Sequence, residues 1–189
     1  MPAVSTSALA DDVGEILLTA DQIAAKVKDL GTKIAHDYQS KDVVFVSILK
    51  GALPFLADLM RATPIPLALD FLEVSSYGAS TESSGVVRIL KDLAHPIEGR
   101  DVLVVEDILD TGRTLSQVFD HLKAQRPTSL RLCVLLDKPA RRVVPIDIHY
   151  RGFEIPDKFV VGYGLDYAER YRNLSFVGVL KPEVYGTAP

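Results

Sequence analysis

The chain has 189 residues, of which 48% are hydrophobic and 24% are charged, as is typical of a globular protein with a substantial core. A formal net charge of −4 argues against a nucleic-acid binder, and no apolar run approaches the ~18 residues of a membrane span. The single Cys133 and an acidic N-terminus without a signal-peptide pattern predict a cytoplasmic protein. We expect a flexible N-terminus over 1–14 and a single domain over 15–186.

Hydrophobic periodicity predicts alternating helices and strands along the chain. In chain order these are a helix over 20–38, a strand at 43–49, a helix over 52–61, paired strands at 66–74 and 86–90, a strand from Val102, a helix over 113–124, and strands at 130–136, 159–163 and 175–180. The first helix begins with a capping-box pair, Thr19 and Gln22. The alternation predicts an α/β fold with a mostly parallel central sheet flanked by helices.

The most informative segment is VLVVEDILDTGRT, residues 102–114. Its apolar run predicts a strand buried on both faces, with acids at the carboxyl end, where open α/β sheets bind ligands. The turn after the third acid, Asp110, offers backbone N–H groups, two hydroxyls and a cation, and it opens a helix. These groups suit a phosphate, although the GxxxxGK[ST] pattern of a Walker loop is absent.

Glu106 and Asp107 are adjacent carboxylates, which accept hydrogen bonds from vicinal hydroxyls of a sugar, directly or through a bound Mg²⁺. The alternative is that these acids only cap the following turn, as Asp often does. Asp110 and the turn behind the pair favour the functional interpretation.

This segment, with DKP at 137–139 and VGYGLDYAERYRNL at 161–174, resembles the signature of the type I phosphoribosyltransferases. Within that family it is similar to the hypoxanthine-guanine enzymes of the compact bacterial kind, from about Ile16 to about Tyr185. The resemblance implies a phosphoribosyltransferase domain with a small hood from the N- and C-terminal segments and a mobile loop near 75–85. It also implies Mg²⁺, phosphoribosyl pyrophosphate and 6-oxopurine bases as ligands, and a homo-oligomer, dimer or tetramer, without nucleic-acid or membrane partners.

The resemblance assigns, residue by residue, the site for phosphoribosyl pyrophosphate, the donor of the phosphoribosyl group. Asp110 is the catalytic residue, beside N7 of the purine, where it takes a proton or stabilises positive charge. The pyrophosphate site is implied to contain Arg172 and the Lys50–Gly51 peptide, which can be cis. The ribose and its 5′-phosphate are implied to contact Glu106, Asp107, Asp110, Thr111, Gly112, Arg113 and Thr114, of which Arg113 occupies a variable family position.

The purine site is implied to contain Lys138, Phe159, Val160 and Asp166. Lys138 would donate a hydrogen bond to the 6-oxo group of the purine. It could not accept one from the exocyclic amine that adenine carries at the same position. Phe159 would stack on the base and Val160 would offer backbone groups. Asp166 would also reach a Mg²⁺, so the implied metal residues are Asp166, Glu106 and Asp107. A lid loop led by Ser76 and Tyr77 would close over the site.

Several alternatives stay open from the sequence. In isolation, Lys50 and Arg172 could be solvated cations, Phe159 a core residue, and the loop at 75–85 a plain hairpin connection. A regulatory relative that binds nucleic acid is disfavoured by the acidic charge and by the retained Asp110, Lys138 and Asp166. An enzyme of the same fold for another base is a further alternative, and the preference among hypoxanthine, guanine and xanthine is undecided.

Overall fold

The computed structural model describes residues 6–76 and 87–186. The helices are α1 (Thr6–Asp11), α2 (Ala20–Asp37), α3 (Leu53–Ala62), α4 (Arg113–Ala124) and α5 (Pro182–Tyr185), with a 3₁₀ turn at Pro139–Arg141. The strands are β1 (Val13–Leu18), β2 (Val43–Leu49), β3 (Ala68–Ser76), β4 (Val87–Lys91), β5 (Asp101–Leu109), β6 (Ser129–Asp137), β7 (Tyr150–Glu154), β8 (Val160–Val161) and β9 (Val177–Leu180).

Two sheets organise these elements. The six-stranded sheet has the order β4-β3-β2-β5-β6-β7, and every pairing in it is parallel except that of β3 with β4. The second sheet, of order β1-β9-β8, is antiparallel and joins the N-terminal strand to the C-terminal one. It corresponds to the hood expected from the terminal segments. The mostly parallel sheet flanked by helices confirms the predicted fold class.

The core lies on both faces of the large sheet, because successive strand residues point to opposite sides. Phe45, Leu103 and Leu135 pack with α2 and α3 on one face. Val46 and Val104 pack with α4 on the other. This double burial explains why the central strands are almost continuous apolar runs. Parallel pairing places the carboxyl ends of β2, β5 and β6 side by side.

The predicted elements are largely confirmed, with shifts at their ends. The helix over 20–38 is observed as Ala20–Asp37, and both capping-box hydrogen bonds between Thr19 and Gln22 are present. The sequence did not indicate α1, β1, β7 or α5. From Thr6 onward, the segment expected to be a flexible N-terminus over 1–14 contains α1 and the start of β1.

Burial raises the pKa of the Cys133 thiol, in keeping with the inert buried cysteine that its apolar run predicts. Among the helices that the structure describes, none is both long and apolar enough to cross a membrane.

Candidate active site

Strand β5 carries the two adjacent acids, but it does not end at them. It continues through Leu109, so Glu106 and Asp107 lie within the strand and are buried. Neighbouring strand residues point to opposite faces, and the two carboxylates accordingly line different cavities. Asp107 lines a cavity of about 410 Å³ and Glu106 one of about 150 Å³. The sequence predicted that the acids end the strand, whereas β5 extends two residues beyond Asp107.

Burial shifts the acidity of both carboxyls. The pKa of Glu106 lies well above its usual range, first because of burial and then because of the nearby Asp107. Its Oε1 accepts a hydrogen bond from Ile48 N at 3.1 Å. Burial likewise raises the pKa of Asp107 to about 6, opposed by the Ile108 N–H and by Arg172. The site thus contains two carboxyls that a cation would stabilise in their ionised form.

The turn at 110–112, here called the anion cradle, has a backbone geometry that suits an anion. Gly112 is the N-cap of α4 with φ of 82°, where a Cβ would lie 2.5 Å from Val144 O, so only glycine fits. The carbonyls of Leu109, Asp110 and Thr111 all accept hydrogen bonds from the segment 138–144. Their peptides are trans, so the amides of 110, 111 and 112 point the other way.

The outward amides face the smaller cavity. Among the described residues, none of these three N–H groups is seen to donate a hydrogen bond to protein. They lie at the N-terminus of a helix, where the backbone dipoles favour negative charge. The 150 Å³ cavity is lined by Ile48, Glu106, Ile108, Leu109, Asp110, Thr111, Gly112, Thr114 and Leu115. The side chain of Arg113 is exposed, and Arg113 lines neither this cavity nor the larger one.

Asp110 lines both cavities. Its Oδ1 is buried without a hydrogen-bond donor within the described chain, and the nearest cation, Arg141 Nε, is 3.6 Å away. An acceptor oxygen at the junction of two cavities can receive a proton or a hydrogen bond from a ligand. Sequence reasoning missed Arg141, because one arginine in a short run of charged residues carries no motif.

The larger cavity brings together most of the predicted ligand residues. Nine of its lining residues were candidates from the sequence: Lys50, Gly51, Asp107, Asp110, Lys138, Phe159, Val160, Asp166 and Arg172. The remaining lining residues are Ile108, Arg141 and Leu165. Residues that are 122 positions apart in the chain, Lys50 and Arg172, thus meet at one site.

The cationic side of this cavity is an ion-pair network. Lys50 Nζ lies 3.0 Å from Glu169 Oε2, and Arg172 Nη2 lies 3.1 Å from Glu169 Oε1. Arg172 Nη2 also lies 2.8 Å from Asp166 Oδ1, and its Nη1 donates to Gly164 O. Arg172 Nε is buried with no hydrogen-bond partner in the described chain, so it retains a donor. Glu169 was not predicted, because nothing in its local sequence distinguishes it from a solvated acid.

Close backbone packing shapes the same side. A Cβ on Gly164, whose φ is 101°, would lie 1.9 Å from Gly51 O. The cis peptide bond in this region joins Leu49 to Lys50, whereas the sequence resemblance pointed to the following Lys50–Gly51 bond. The observed cis bond thus lies one peptide before the bond to which the resemblance pointed.

The opposite side of the cavity contains a lysine and an aromatic ring. Lys138 is buried, and its Nζ donates to Lys158 O at 2.9 Å while lying 3.7 Å from Asp157 Oδ1. Phe159 is 42% exposed and contacts the rings of Tyr167 and Tyr185, so it is not a core residue. An ammonium and an aromatic ring that line one cavity are groups suited to a flat, oxygen-bearing heterocycle.

The structure does not describe most of the predicted lid, and it does not bring the three predicted metal residues to one cavity. Ser76 ends β3, and Tyr77 and the rest of the expected lid near 75–85 lie outside the described residues. Within 6–76 and 87–186, no three His, Cys, Asp or Glu side chains converge to hold a metal. Asp107 and Asp166 share the larger cavity, whereas Glu106 faces the smaller one.

Comparisons with known proteins show the family to which the chain belongs. A model of the phosphoribosyl transferase domain family matches residues 14–168. The fold and the site thus define a phosphoribosyltransferase. The chain is 51% identical over 190 residues to the hypoxanthine-guanine phosphoribosyltransferase of Mycobacterium avium, covering 97% of this chain and 94% of that protein. It is 50% identical over 174 residues to the enzyme of that name from Bacillus subtilis, covering 92% and 97%.

A solved structure shows the same likeness. The crystal structure of a hypoxanthine phosphoribosyltransferase from Staphylococcus aureus superposes with a TM-score of 0.92 at 49% identity, covering 95% of this chain and 98% of that one. The chain belongs to the hypoxanthine-guanine branch of the phosphoribosyltransferase family.

Proposed function

We propose that the protein transfers the 5-phosphoribosyl group of phosphoribosyl pyrophosphate to N9 of hypoxanthine or guanine. The products are IMP or GMP and pyrophosphate, and the reaction serves purine salvage. The observation that carries this proposal is the position of Asp110, which lines both the anion cradle and the larger cavity. A ligand with a phosphate at one end and a reacting carbon at the other fits across that junction.

The donor spans the two cavities. Its 5′-phosphate binds the free amides of 110–112 and the hydroxyls of Thr111 and Thr114. Its pyrophosphate meets Lys50 and Arg172, whose charges offset the negative charge that develops on the leaving group. Glu106 and Asp107, on opposite faces of β5, flank the ribose between these ends. Holding both ends of the donor in line supplies much of the reduction in the barrier.

Asp110 handles the proton of the base. As N9 attacks the ribose carbon, positive charge develops on the purine ring, and a carboxylate at N7 stabilises it or accepts the proton. The buried Oδ1 of Asp110, which has no hydrogen-bond donor among the described residues, supports this role. No covalent nucleophile is required.

The purine lies between Phe159 and Lys138. The ring of Phe159 stacks on the base, the backbone of Val160 meets its edge, and the ammonium of Lys138 donates to the 6-oxo oxygen. Because an ammonium has no acceptor, it cannot pair with the exocyclic amine of adenine. This donor-only chemistry supports 6-oxopurines as the substrates.

Mg²⁺ fits the carboxylates of the larger cavity. Asp107 and Asp166 both line it, and Mg²⁺ uses few protein carboxylates, with substrate oxygens and water completing its shell. Bound there, Mg²⁺ would neutralise pyrophosphate oxygens. Glu106 faces the other cavity, so its proposed role is toward the ribose and its phosphate rather than the metal.

We further propose that residues 15–186 act as one phosphoribosyltransferase domain in a cytoplasmic homo-oligomer. The apolar Leu53, which is 49% exposed on α3, supports a contact through the segment 50–60. Sedimentation of the protein at several concentrations tests this: a dimer or tetramer is expected, and a monomer throughout would contradict it.

A Mg²⁺-dependent assay with phosphoribosyl pyrophosphate and each of hypoxanthine, guanine, xanthine and adenine tests the function. Nucleotide from hypoxanthine or guanine, with poor use of adenine, is expected. Efficient adenine turnover would contradict the role of Lys138. Donor binding without turnover of any base would instead indicate a regulatory protein.

A further inference from the structure

The anion cradle is held from behind by the segment 138–144. Leu109 O accepts from Lys138 N at 3.0 Å, and Thr111 O accepts from the amides of Val143 and Val144 at 2.9 and 3.0 Å. These three donors are backbone groups, so side-chain changes alter them little. The carbonyl between them, that of Asp110, has a side chain as its donor.

That side chain is Arg142. Its Nε donates to Asp110 O at 2.9 Å and its Nη2 donates to Leu109 O at 3.1 Å. Nη2 also forms an ion pair with Asp137 Oδ1. A planar guanidinium presents its donors in a rigid fork, so one side chain can fix two successive carbonyls and a carboxylate. The Arg142 side chain is mostly buried, at 18% exposure.

The carboxylate that orients Arg142 is itself held. Asp137 ends β6 and is 2% exposed. Its second oxygen, Oδ2, lies 3.0 Å from Arg151 Nε. Arg151 pairs with the same carboxylate, but within the part of the chain that the structure describes it is not seen to bond to the cradle, which distinguishes the two arginines.

We infer that Arg142 is a positioning residue for the donor site. This inference rests on the proposed function. The guanidinium of Arg142, fixed by its ion pair with Asp137, donates to the Leu109 and Asp110 carbonyls, so that the amides of 110 and 111 point at the 5′-phosphate. It touches no substrate in this role and acts through the backbone of the cradle. Without it, the Asp110 carbonyl loses the hydrogen bond from Arg142 Nε, and residues 6–76 and 87–186 are not seen to offer it another donor, so the peptide can rotate.

The test compares Arg142→Ala with Arg151→Ala, which removes the other charge on Asp137. Calorimetry measures binding of phosphoribosyl pyrophosphate, which uses the cradle, and of pyrophosphate, which uses the side containing Lys50 and Arg172. Arg142→Ala should weaken donor binding about 10- to 100-fold, as expected for lost charge-assisted hydrogen bonds. Pyrophosphate binding should change less than about twofold. Arg151→Ala should change neither by more than about twofold.

Further readouts separate positioning from general stability. Millimolar guanidinium should restore part of the donor affinity of Arg142→Ala. Arg142→Lys keeps the charge but not the planar fork, so its donor affinity should resemble that of Arg142→Ala. If Arg142→Ala fails to fold, Arg142→Lys is used for the same binding measurements. Equal losses for donor and pyrophosphate, equal losses in the Arg151 variant, or unaltered donor binding would overturn the inference. Because these are binding measurements, they stand apart from the turnover assay, whose failure would count against the proposed function instead.

Discussion

Gly51 lies against Asp107 so closely that a Cβ on Gly51 would be 2.0 Å from the Asp107 Oδ2 atom. The contact joins the end of β2 to the interior of β5 and positions a carboxylate of the larger cavity. Gly51→Ala should displace Asp107 and lower kcat/KM for phosphoribosyl pyrophosphate at least about 100-fold, since displacements near 1 Å have such effects. Steady-state kinetics with varied donor measures this.

The control for Gly51→Ala is Gly14→Ala. A Cβ on Gly14 would meet Lys181 Cγ at 3.4 Å, an ordinary contact with a flexible side chain. Kinetics of that variant should match the wild type. If Gly51→Ala were as active as the wild type, catalysis would not depend on the observed position of the Asp107 carboxylate.

Gly112→Ala should damage the cradle. The added methyl would meet Val144 O at 2.5 Å in a left-handed conformation, with φ of 82°. We expect the donor KM to rise at least about tenfold, and the strain to cost about 1–3 kcal/mol of stability. Gly99→Ala is the matched control: its φ is 74° but nothing lies within 4 Å of the new Cβ. If both variants raised the donor KM alike, the cradle assignment would be wrong.

Asp110→Asn should separate chemistry from binding. The amide has nearly the same shape but cannot take a proton, so kcat should fall about 100- to 10,000-fold while the KM values change little. Because the buried Oδ1 accepts no hydrogen bond from the described residues, little local structure should be lost. Turnover and thermal unfolding would both be measured. An unchanged kcat would remove Asp110 from the catalytic role.

The buried acids predict a pH dependence of stability. Glu106 and Asp107 have pKa values raised above their usual 4.5 and 3.8, with that of Asp107 at about 6. Between the unfolded and folded values, the folded protein binds more protons than the unfolded chain. The free energy of unfolding should therefore fall as pH rises from about 4 to above 6.

Glu106→Gln should reduce that fall. Removing the buried charge is expected to raise Tm at pH 8 above that of the wild type. Thermal unfolding from pH 4 to pH 8, with the exposed Glu98→Gln as control, measures this. A slope identical to that of the wild type would show that Glu106 is not the group responsible. Added Mg²⁺ should lessen the decline in the wild type by binding the ionised carboxylate of Asp107.

Local patterns in the sequence were enough to predict much of this molecule. One such pattern is the capping box at Thr19 and Gln22, which depends on residues three positions apart. Another is the continuous apolar run of β2, β5 and β6, which reflects burial on both faces of the sheet. The phosphate turn at 111–114 is also local, so its chemistry was predictable. Strand β1 was missed because three of its six residues are exposed and its pairing with β9 is distant in sequence.

The sequence by itself thus determined the fold class, the cradle and, with the family resemblance, nine residues of the larger cavity. Only the tertiary structure decided that Glu106 and Asp107 face different cavities, because that depends on β5 continuing past them to Leu109. It also decided that Arg142 holds the cradle and that Glu169 bridges Lys50 and Arg172. Such contacts join segments through space, and no spacing along the chain encodes the direction in which a side chain meets a distant backbone.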